Sequence, residues 1–207
     1  MIPADKLTPE GAMLAARELV AASHGVLVRK GDVPGMGVVR GVFDALHAAG
    51  LSVPSGAEFD RYSHALGPFV VVADGLSPVE LLATVAHECE HVRQFWEGEY
   101  AKGSTVGATL GGGAAFAWLY LVEPEARVRF ESRAYRTTLE VLHMLGAPLP
   151  SIGALADALA RGYALDAEHV AFGRSLLESA LLSVRGGVYS TTAGVRCEAI
   201  LKRHGVL

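Results

Sequence analysis

Five consecutive residues, His87-Glu88-Cys89-Glu90-His91, have types and a spacing that could bind a metal ion. In an α-helix, residues four positions apart lie on one face, so both imidazoles can reach the same ion. Glu88 can then hold a water molecule bound to that ion and act as a general base. The pattern H-E-x-x-H is typical of zinc sites that hydrolyse peptide bonds. The alternative is a surface helix that carries two histidines by chance.

The residues around this motif predict a helix. Ser77 and Glu80 have the spacing of a capping box, and Pro78 occupies the first helical position. From there to about Trp96 the chain contains no glycine or proline and is rich in leucine, alanine and valine. The two histidines therefore lie in the third turn of a helix, away from its fraying ends.

A hydrolytic zinc ion uses three protein ligands and one open position, so a third ligand is needed. The extended motif with a third histidine is absent, because Gln94 and Glu97 occupy its later positions. The ligand should therefore come from another helix, predicted over residues 124–145. Glu131 is the strongest candidate, since the small Ala134 on the same face would let that helix pack closely. The alternative for Glu131 is an ordinary solvated charge.

Three segments of the chain together resemble a known group of enzymes. They are residues 69–78 (FVVVADGLSP), residues 86–94 (AHECEHVRQ) and residues 131–136 (ESRAYR). This order of a strand, a helix with H-E-x-x-H-V-x-Q and a later E-x-x-A-Y is similar to small bacterial and phage zinc metallopeptidases of the gluzincin kind. The resemblance covers about a third of the chain. The sequence differs by a long glycine-rich insert between the two motifs.

The resemblance implies a role for each matching residue. His87, His91 and Glu131 would be the ligands of a Zn²⁺ ion, and Glu88 would be the catalytic base. The strand at residues 69–72 would flank the cleft and could pair with an extended substrate.

Two further groups of residues could assist such chemistry. Tyr135 and Tyr189 are candidates for stabilising the oxyanion of the tetrahedral intermediate, although we favour for both the simpler interpretation of a partly buried tyrosine with a hydrogen-bonded hydroxyl. The predicted second helix also carries four arginines, Arg127, Arg129, Arg133 and Arg136. They could pair with glutamates on their own helix, support zinc-bound carboxylates, or capture a peptide C-terminus.

Composition limits the class of protein. The chain has 207 residues, of which 51% are hydrophobic and 19% charged, and its net charge of −4 gives no sign of a nucleic-acid partner. The two cysteines, Cys89 and Cys197, do not form a disulfide framework, and we predict that Cys89 is a small buried residue rather than a ligand. No secretory signal is visible at the N-terminus, so a cytoplasmic location is expected.

An uncharged stretch, residues 104–122, is long enough to raise the question of a membrane span. Its four glycines make it a poor single helix. A single crossing would also separate Glu131 from the two histidines. We therefore predict a glycine-rich loop leading into a buried helix at residues 114–122, and no membrane span.

The remaining pattern predicts a mainly α protein with a small β-sheet, an α+β fold. Residues 1–150 would form a zincin-like metallopeptidase domain, and residues 151–207 a C-terminal helical extension packed on it. Strands are expected at residues 26–28 and 69–72. Helices are expected at residues 8–25, 35–49, 78–96, 114–122, 124–145, 151–161, 166–185 and 192–204.

Zinc-dependent hydrolysis of a peptide or protein substrate is the function that these observations favour. One alternative is a catalytically silent zinc-binding scaffold, against which the presence of Glu88 argues. Another is a docking component of a phage or secretion assembly, for which the helical extension could supply a surface. The sequence does not indicate an oligomeric state.

Overall fold

The computed structural model describes residues 7–32, 36–50, 55–57, 62–97, 112–163 and 165–207, which form a mainly helical α+β fold, as predicted. The strands are β1 (Val26–Arg29), β2 (His64–Leu66) and β3 (Phe69–Val72). The helices are α1 (Pro9–Ala22), α2 (Met36–Ala48), α3 (Pro78–Glu97), α4 (Gly112–Val122), α5 (Pro124–Met144), α6 (Ile152–Tyr163), α7 (Ala167–Arg185) and α8 (Thr192–Arg203).

The sheet has the strand order β1-β3-β2, with β1 parallel and β2 antiparallel to β3. Val70 of β3 pairs with Leu27 on one side and with Ala65 on the other. The expectation that β3 could pair with an extended substrate is therefore wrong, because both of its edges are already used. β2 was not predicted, since three residues are too few to show an alternating pattern.

The helix that carries the H-E-x-x-H motif, α3, forms for the reasons that the sequence suggests. The Ser77 amide donates to the Glu80 carboxylate at 2.9 Å, and the Glu80 amide donates to the Ser77 hydroxyl at 3.3 Å. These reciprocal bonds satisfy two donors at the start of the helix. The prediction for Cys89 is confirmed, because its side chain is fully buried in the core.

Two hydrophobic clusters hold the helices together. The first joins α1, β3, α3, the end of α5 and α8, and the second joins α5, α6 and α7. From α8, Cys197, Ile200 and Leu201 are buried in the first cluster. Helices from the proposed C-terminal extension thus contribute to both clusters, and the division at residue 150 stays a prediction.

Helix α4 is half-exposed, which corrects the prediction of a buried helix at residues 114–122. Ala115 is fully buried, but Trp118 is 49% exposed and Val122 is 44% exposed. The physical reason is that this short helix carries apolar side chains all around its axis, whereas only one side of it packs on α3 and α5. The preceding glycine-rich segment, residues 103–111, lies outside the described residues. Within the described ranges, no helix is long and apolar enough to cross a membrane.

Candidate metal centre

Close packing of α3 against α5 brings the three predicted ligands together. His91 Nε2 lies 3.3 Å from Glu131 Oε1, and His87 Nε2 lies 3.6 Å from Glu131 Oε2. One nitrogen from each histidine and one oxygen of Glu131 all lie within 4.8 Å of one another. Two imidazole nitrogens and a carboxylate oxygen are donors that zinc accepts in catalytic sites.

One carboxylate oxygen of Glu131 is buried without a hydrogen-bond partner. Glu131 is fully buried, and its Oε2 atom has no hydrogen-bond partner in the described structure. An oxygen anion that is removed from water requires a compensating charge or donor. A metal ion between this oxygen and the two histidine nitrogens would supply that compensation, so the residues present fit a bound cation.

Hydrogen bonds fix the orientation of the His91 ring. Its Nδ1 atom lies 2.8 Å from Oε1 of Gln94, one turn later on α3. The Gln94 amide nitrogen donates in turn to the Phe130 carbonyl on α5 at 3.2 Å. Because Oε1 can only accept, Nδ1 of His91 carries a proton, and Nε2 is the nitrogen that would bind a metal once its own proton is released.

The ring of His87 is oriented in the same way by a residue of α5. Its Nδ1 atom lies 3.2 Å from the Thr138 hydroxyl oxygen. That hydroxyl donates to the Ala134 carbonyl at 3.4 Å, so it accepts from His87. The Nε2 lone pair of His87 is thereby also directed at the cluster. Neither Gln94 nor Thr138 was predicted as part of the site.

The pKa values of Glu131 and His91 are shifted by the neighbouring candidate ligands. Burial alone would raise the pKa of Glu131, but the neighbouring histidines outweigh burial and hold this pKa well below its usual value. Burial alone would lower the pKa of His91, whereas Glu131 raises it to about 9. In the metal-free protein, the cluster therefore holds a carboxylate and a protonated histidine at neutral pH.

Glu88, the predicted base, lies buried beside the cluster with 6% of its surface exposed. Burial raises its pKa, while His87 and His91 partly oppose this shift. The backbone amide of Ala65 in β2 donates a hydrogen bond to the Glu88 carboxylate. The strand that the sequence did not reveal thus contributes a group to the site. A carboxylate with a raised pKa is suited to accept and release a proton near neutrality.

Two tyrosines that sequence reasoning missed contact Glu131. The Tyr120 hydroxyl, on α4, donates to Oε1 of Glu131. The Tyr163 hydroxyl, at the end of α6, lies close enough to Glu131 and to Tyr120 for each of these groups to affect its pKa. Burial raises the pKa of both tyrosines, so both remain protonated donors. Groups from three other helices, α3, α4 and α6, therefore surround the Glu131 carboxylate.

A buried arginine fixes the backbone at both of these tyrosines. The Arg127 guanidinium donates to the carbonyls of Tyr120 at 2.6 Å, Leu121 at 2.8 Å and Tyr163 at 3.1 Å. Arg127 is only 2% exposed, and burial lowers its pKa. Its planar fork of donors thus joins the ends of α4 and α6 to α5.

The other members of the predicted arginine cluster form ion pairs with glutamates. Arg129 pairs with Glu125 and Arg136 pairs with Glu140, as expected for solvation and pairing on one helix. Arg133 instead reaches Glu90 on α3 at 2.6 Å. Arg127 departs from the expected pairing with a glutamate, because its partners are backbone carbonyls.

The two candidate oxyanion donors have different positions. The Tyr135 ring packs edge-on against the His87 ring, with 5.0 Å between centroids, and burial raises its pKa. The Tyr189 hydroxyl contacts His143 Nδ1 at 2.8 Å. His143 is twelve residues after Glu131 on the same helix, a rise of about 18 Å. Of the two, the structure therefore places Tyr135 beside the cluster.

No family model, no curated protein and no solved structure matches the chain. The geometry of the cluster and the residues that orient it are therefore the basis for a functional conclusion.

Proposed function

We propose that this protein is a zinc-dependent peptidase with a zincin-like core of the gluzincin kind. His87, His91 and Glu131 would be the zinc ligands. The observation that carries the proposal is the buried, unpartnered Oε2 of Glu131 facing histidines whose Nδ1 atoms are both hydrogen-bonded. The buried carboxylate of Glu88 adds a general base to this set, which a purely structural zinc site would not need.

A bound zinc ion would supply Lewis acidity and activate a water molecule for attack on a carbonyl carbon. The residues of the chain carry out the proton transfers. Glu88 takes the proton from the attacking water and delivers it to the amine nitrogen of the leaving group. The Ala65 amide holds the Glu88 carboxylate in place for both transfers. Burial around Glu88 raises its pKa and so favours the uptake of the proton from water.

Tyr135 is our candidate for the donor that stabilises the tetrahedral oxyanion. Its ring packs against His87, and its raised pKa keeps the hydroxyl protonated when negative charge develops nearby. Tyr120 and Tyr163 are assigned a different task, because their hydroxyls lie beside Glu131. They orient the carboxylate that the zinc ion would use.

We propose that an extended peptide would lie along β2 rather than β3. The Ala65 amide of β2 is directed at Glu88, so this edge of the sheet faces the site. β3 cannot take that role, since it is paired on both sides. Peptides commonly bind by adding a strand to a sheet edge. The protein would act on peptides in the cytoplasm, where the free cysteines Cys89 and Cys197 remain reduced.

Metal removal and reconstitution test this function. Purified protein should contain about one zinc per chain and cleave members of a broad peptide library. A chelator should abolish cleavage, and one equivalent of zinc should restore it. Cleavage that persists after complete zinc removal would refute the proposal. Zinc binding without any cleavage across the library would instead support the silent scaffold, and with it a docking role in a larger assembly.

A further inference from the structure

A polar cavity of about 300 Å³ lies between α5 and α7, beside the start of α8. Its α5 wall is formed by Arg129, Ser132, Arg133 and Arg136, which lie on one face of that helix. Glu131 is two positions from Arg133 and so points to roughly the opposite side of the helix. The cavity is therefore separate from the candidate metal centre.

The walls of this cavity are rich in cationic and hydroxyl groups. Three arginines come from α5, and hydroxyl groups come from Ser132, Ser179 and Thr191, among others. Among the described residues that line it, none is acidic. The carboxylates that pair with Arg133 and Arg136 belong to Glu90 and Glu140, which are fully buried in the protein and do not line the cavity.

The ion pairs hold the side chains of Arg129 and Arg136 in place and leave donors available on these two residues. Arg136 uses Nε to reach Glu140 at 3.1 Å, and its two terminal nitrogens have no partner among the described residues. Arg129 uses Nε and one terminal nitrogen to reach Glu125, while its guanidinium lies 4.8 Å from the centroid of the Phe172 ring. Guanidinium groups that are already ordered lose little freedom when they bind an anion.

Ser132 supplies an independent indication of a ligand. Its side chain lines the cavity and is only 5% exposed, yet its hydroxyl has no hydrogen-bond partner in the described structure. Buried hydroxyl groups nearly always have a hydrogen-bond partner, because a hydroxyl that leaves water loses its hydrogen bonds to water and needs replacements. A ligand oxygen in the cavity would satisfy this donor.

We propose that this cavity binds a phosphate group, either as free phosphate or as the terminal group of a small phosphomonoester. The guanidinium groups of Arg129, Arg133 and Arg136 would face its oxygens, and the hydroxyl of Ser132 would complete the contacts. A phosphate offers at least three anionic oxygens to these donors, whereas a carboxylate offers two. One guanidinium group can donate two parallel hydrogen bonds to two oxygens of the same phosphate. A halide ion has no such pair of acceptors, so the cavity favours phosphate.

Calorimetric titration at constant ionic strength tests this proposal. Inorganic phosphate, a simple alkyl phosphomonoester and acetate are each titrated into the full-length protein, with and without a zinc chelator. We expect saturable binding of phosphate or of the monoester that persists with the chelator. If both bind, the tighter of the two identifies the form of the ligand. No saturable binding of either, or equally tight binding of acetate, would overturn the proposal.

Variants assign the binding to this cavity. Ser132→Ala should weaken phosphate binding about tenfold, without lowering the melting temperature of the ligand-free protein, because it removes an unpartnered buried hydroxyl. Arg136→Gln should weaken binding by at least as much. Arg174→Gln is the matched control, since Arg174 is an exposed residue of α7 that pairs with Glu178 outside the cavity. Unchanged affinity in both Ser132→Ala and Arg136→Gln would contradict the assignment.

Discussion

The Nδ1 atom of His91 contacts Oε1 of Gln94 at 2.8 Å, one turn further along α3. The same amide group donates to the Phe130 carbonyl of α5, so one side chain both orients the ring and joins the two helices. Thr138 performs the corresponding task for His87. The imidazoles are therefore positioned for a metal ion before any ion binds, and this preorganisation leads to the first prediction.

Removing these orienting groups should weaken zinc binding without removing a ligand. Gln94→Met keeps the side-chain size but loses the acceptor for His91, and Thr138→Val does the same for His87. Each should lower zinc affinity by roughly 10–100-fold, the usual effect of losing such a partner. Competition for zinc with a chromophoric chelator measures the affinity of each variant. The control is Thr137→Val, since Thr137 donates only to the Arg133 carbonyl. An equal loss in the control would indicate a general packing effect.

Replacing the candidate third ligand should have a larger effect. Glu131→Gln retains the shape of the side chain but removes the charge that faces both histidines. We expect zinc affinity to fall by more than the roughly 100-fold upper end for orienting groups. Glu125→Gln is the control, because Glu125 is an exposed residue near the start of α5. The reverse result, a loss in Glu125→Gln alone, would show that the wrong carboxylate is assigned.

The stability of the metal-free protein should depend on pH through His91. Its pKa is raised from the usual 6.5 to about 9 in the folded state, where Glu131 outweighs the opposing effect of burial. A raised histidine pKa contributes stability that is fully present below about pH 6.5 and is lost as pH rises through about 9. Urea unfolding in the presence of a chelator measures this loss.

The control for the pH dependence is His91→Gln, which lacks the titrating ring. Its free energy of unfolding should vary less between pH 6.5 and pH 9 than that of the wild type. Identical slopes in the two proteins would contradict the assignment of this pH dependence to His91.

Arg127 should be among the residues most sensitive to substitution. Arg127→Met removes the donors to three partly buried carbonyl groups, and unsatisfied acceptors away from water are costly. We expect the free energy of unfolding to fall by about 3 kcal/mol. Arg129→Met, two residues away at a partly exposed ion pair, should change it by less than about 1 kcal/mol. Chemical denaturation measures the free energy of unfolding of both variants. A comparable decrease in the two would refute this role of Arg127.

Much of the fold could be predicted from the sequence, because its signals are local. The capping box at Ser77 and the absence of glycine and proline after Pro78 define α3. Likewise, Pro124 marks the start of α5, which ends at Met144 before Gly146. The approach of Glu131 to the two histidines was also predicted, because Ala134 on the same face of α5 favours close packing of that helix.

The parts that were missed depend on contacts between distant segments. Tyr120 and Tyr163 lie on different helices, and nothing in their local sequence indicates that both hydroxyls reach Glu131. β2 has only three residues, and Ala65 contributes its backbone amide rather than a side chain. The sequence cannot reveal a backbone donor, because every residue type except proline has a backbone N–H group. The exposure of α4 was mispredicted for a related reason, because its composition alone does not show which side packs.

Glu88→Gln gives the most direct measurement of the central claim, that this cluster is a zinc-dependent peptidase centre. The change keeps the shape of the side chain and removes the base, while His87, His91 and Glu131 remain. Zinc content and folding should match the wild type, and peptide hydrolysis should fall by about 10²–10⁴-fold or more. Hydrolysis by Glu88→Gln at the wild-type rate, with zinc content equal in both proteins, would contradict the account.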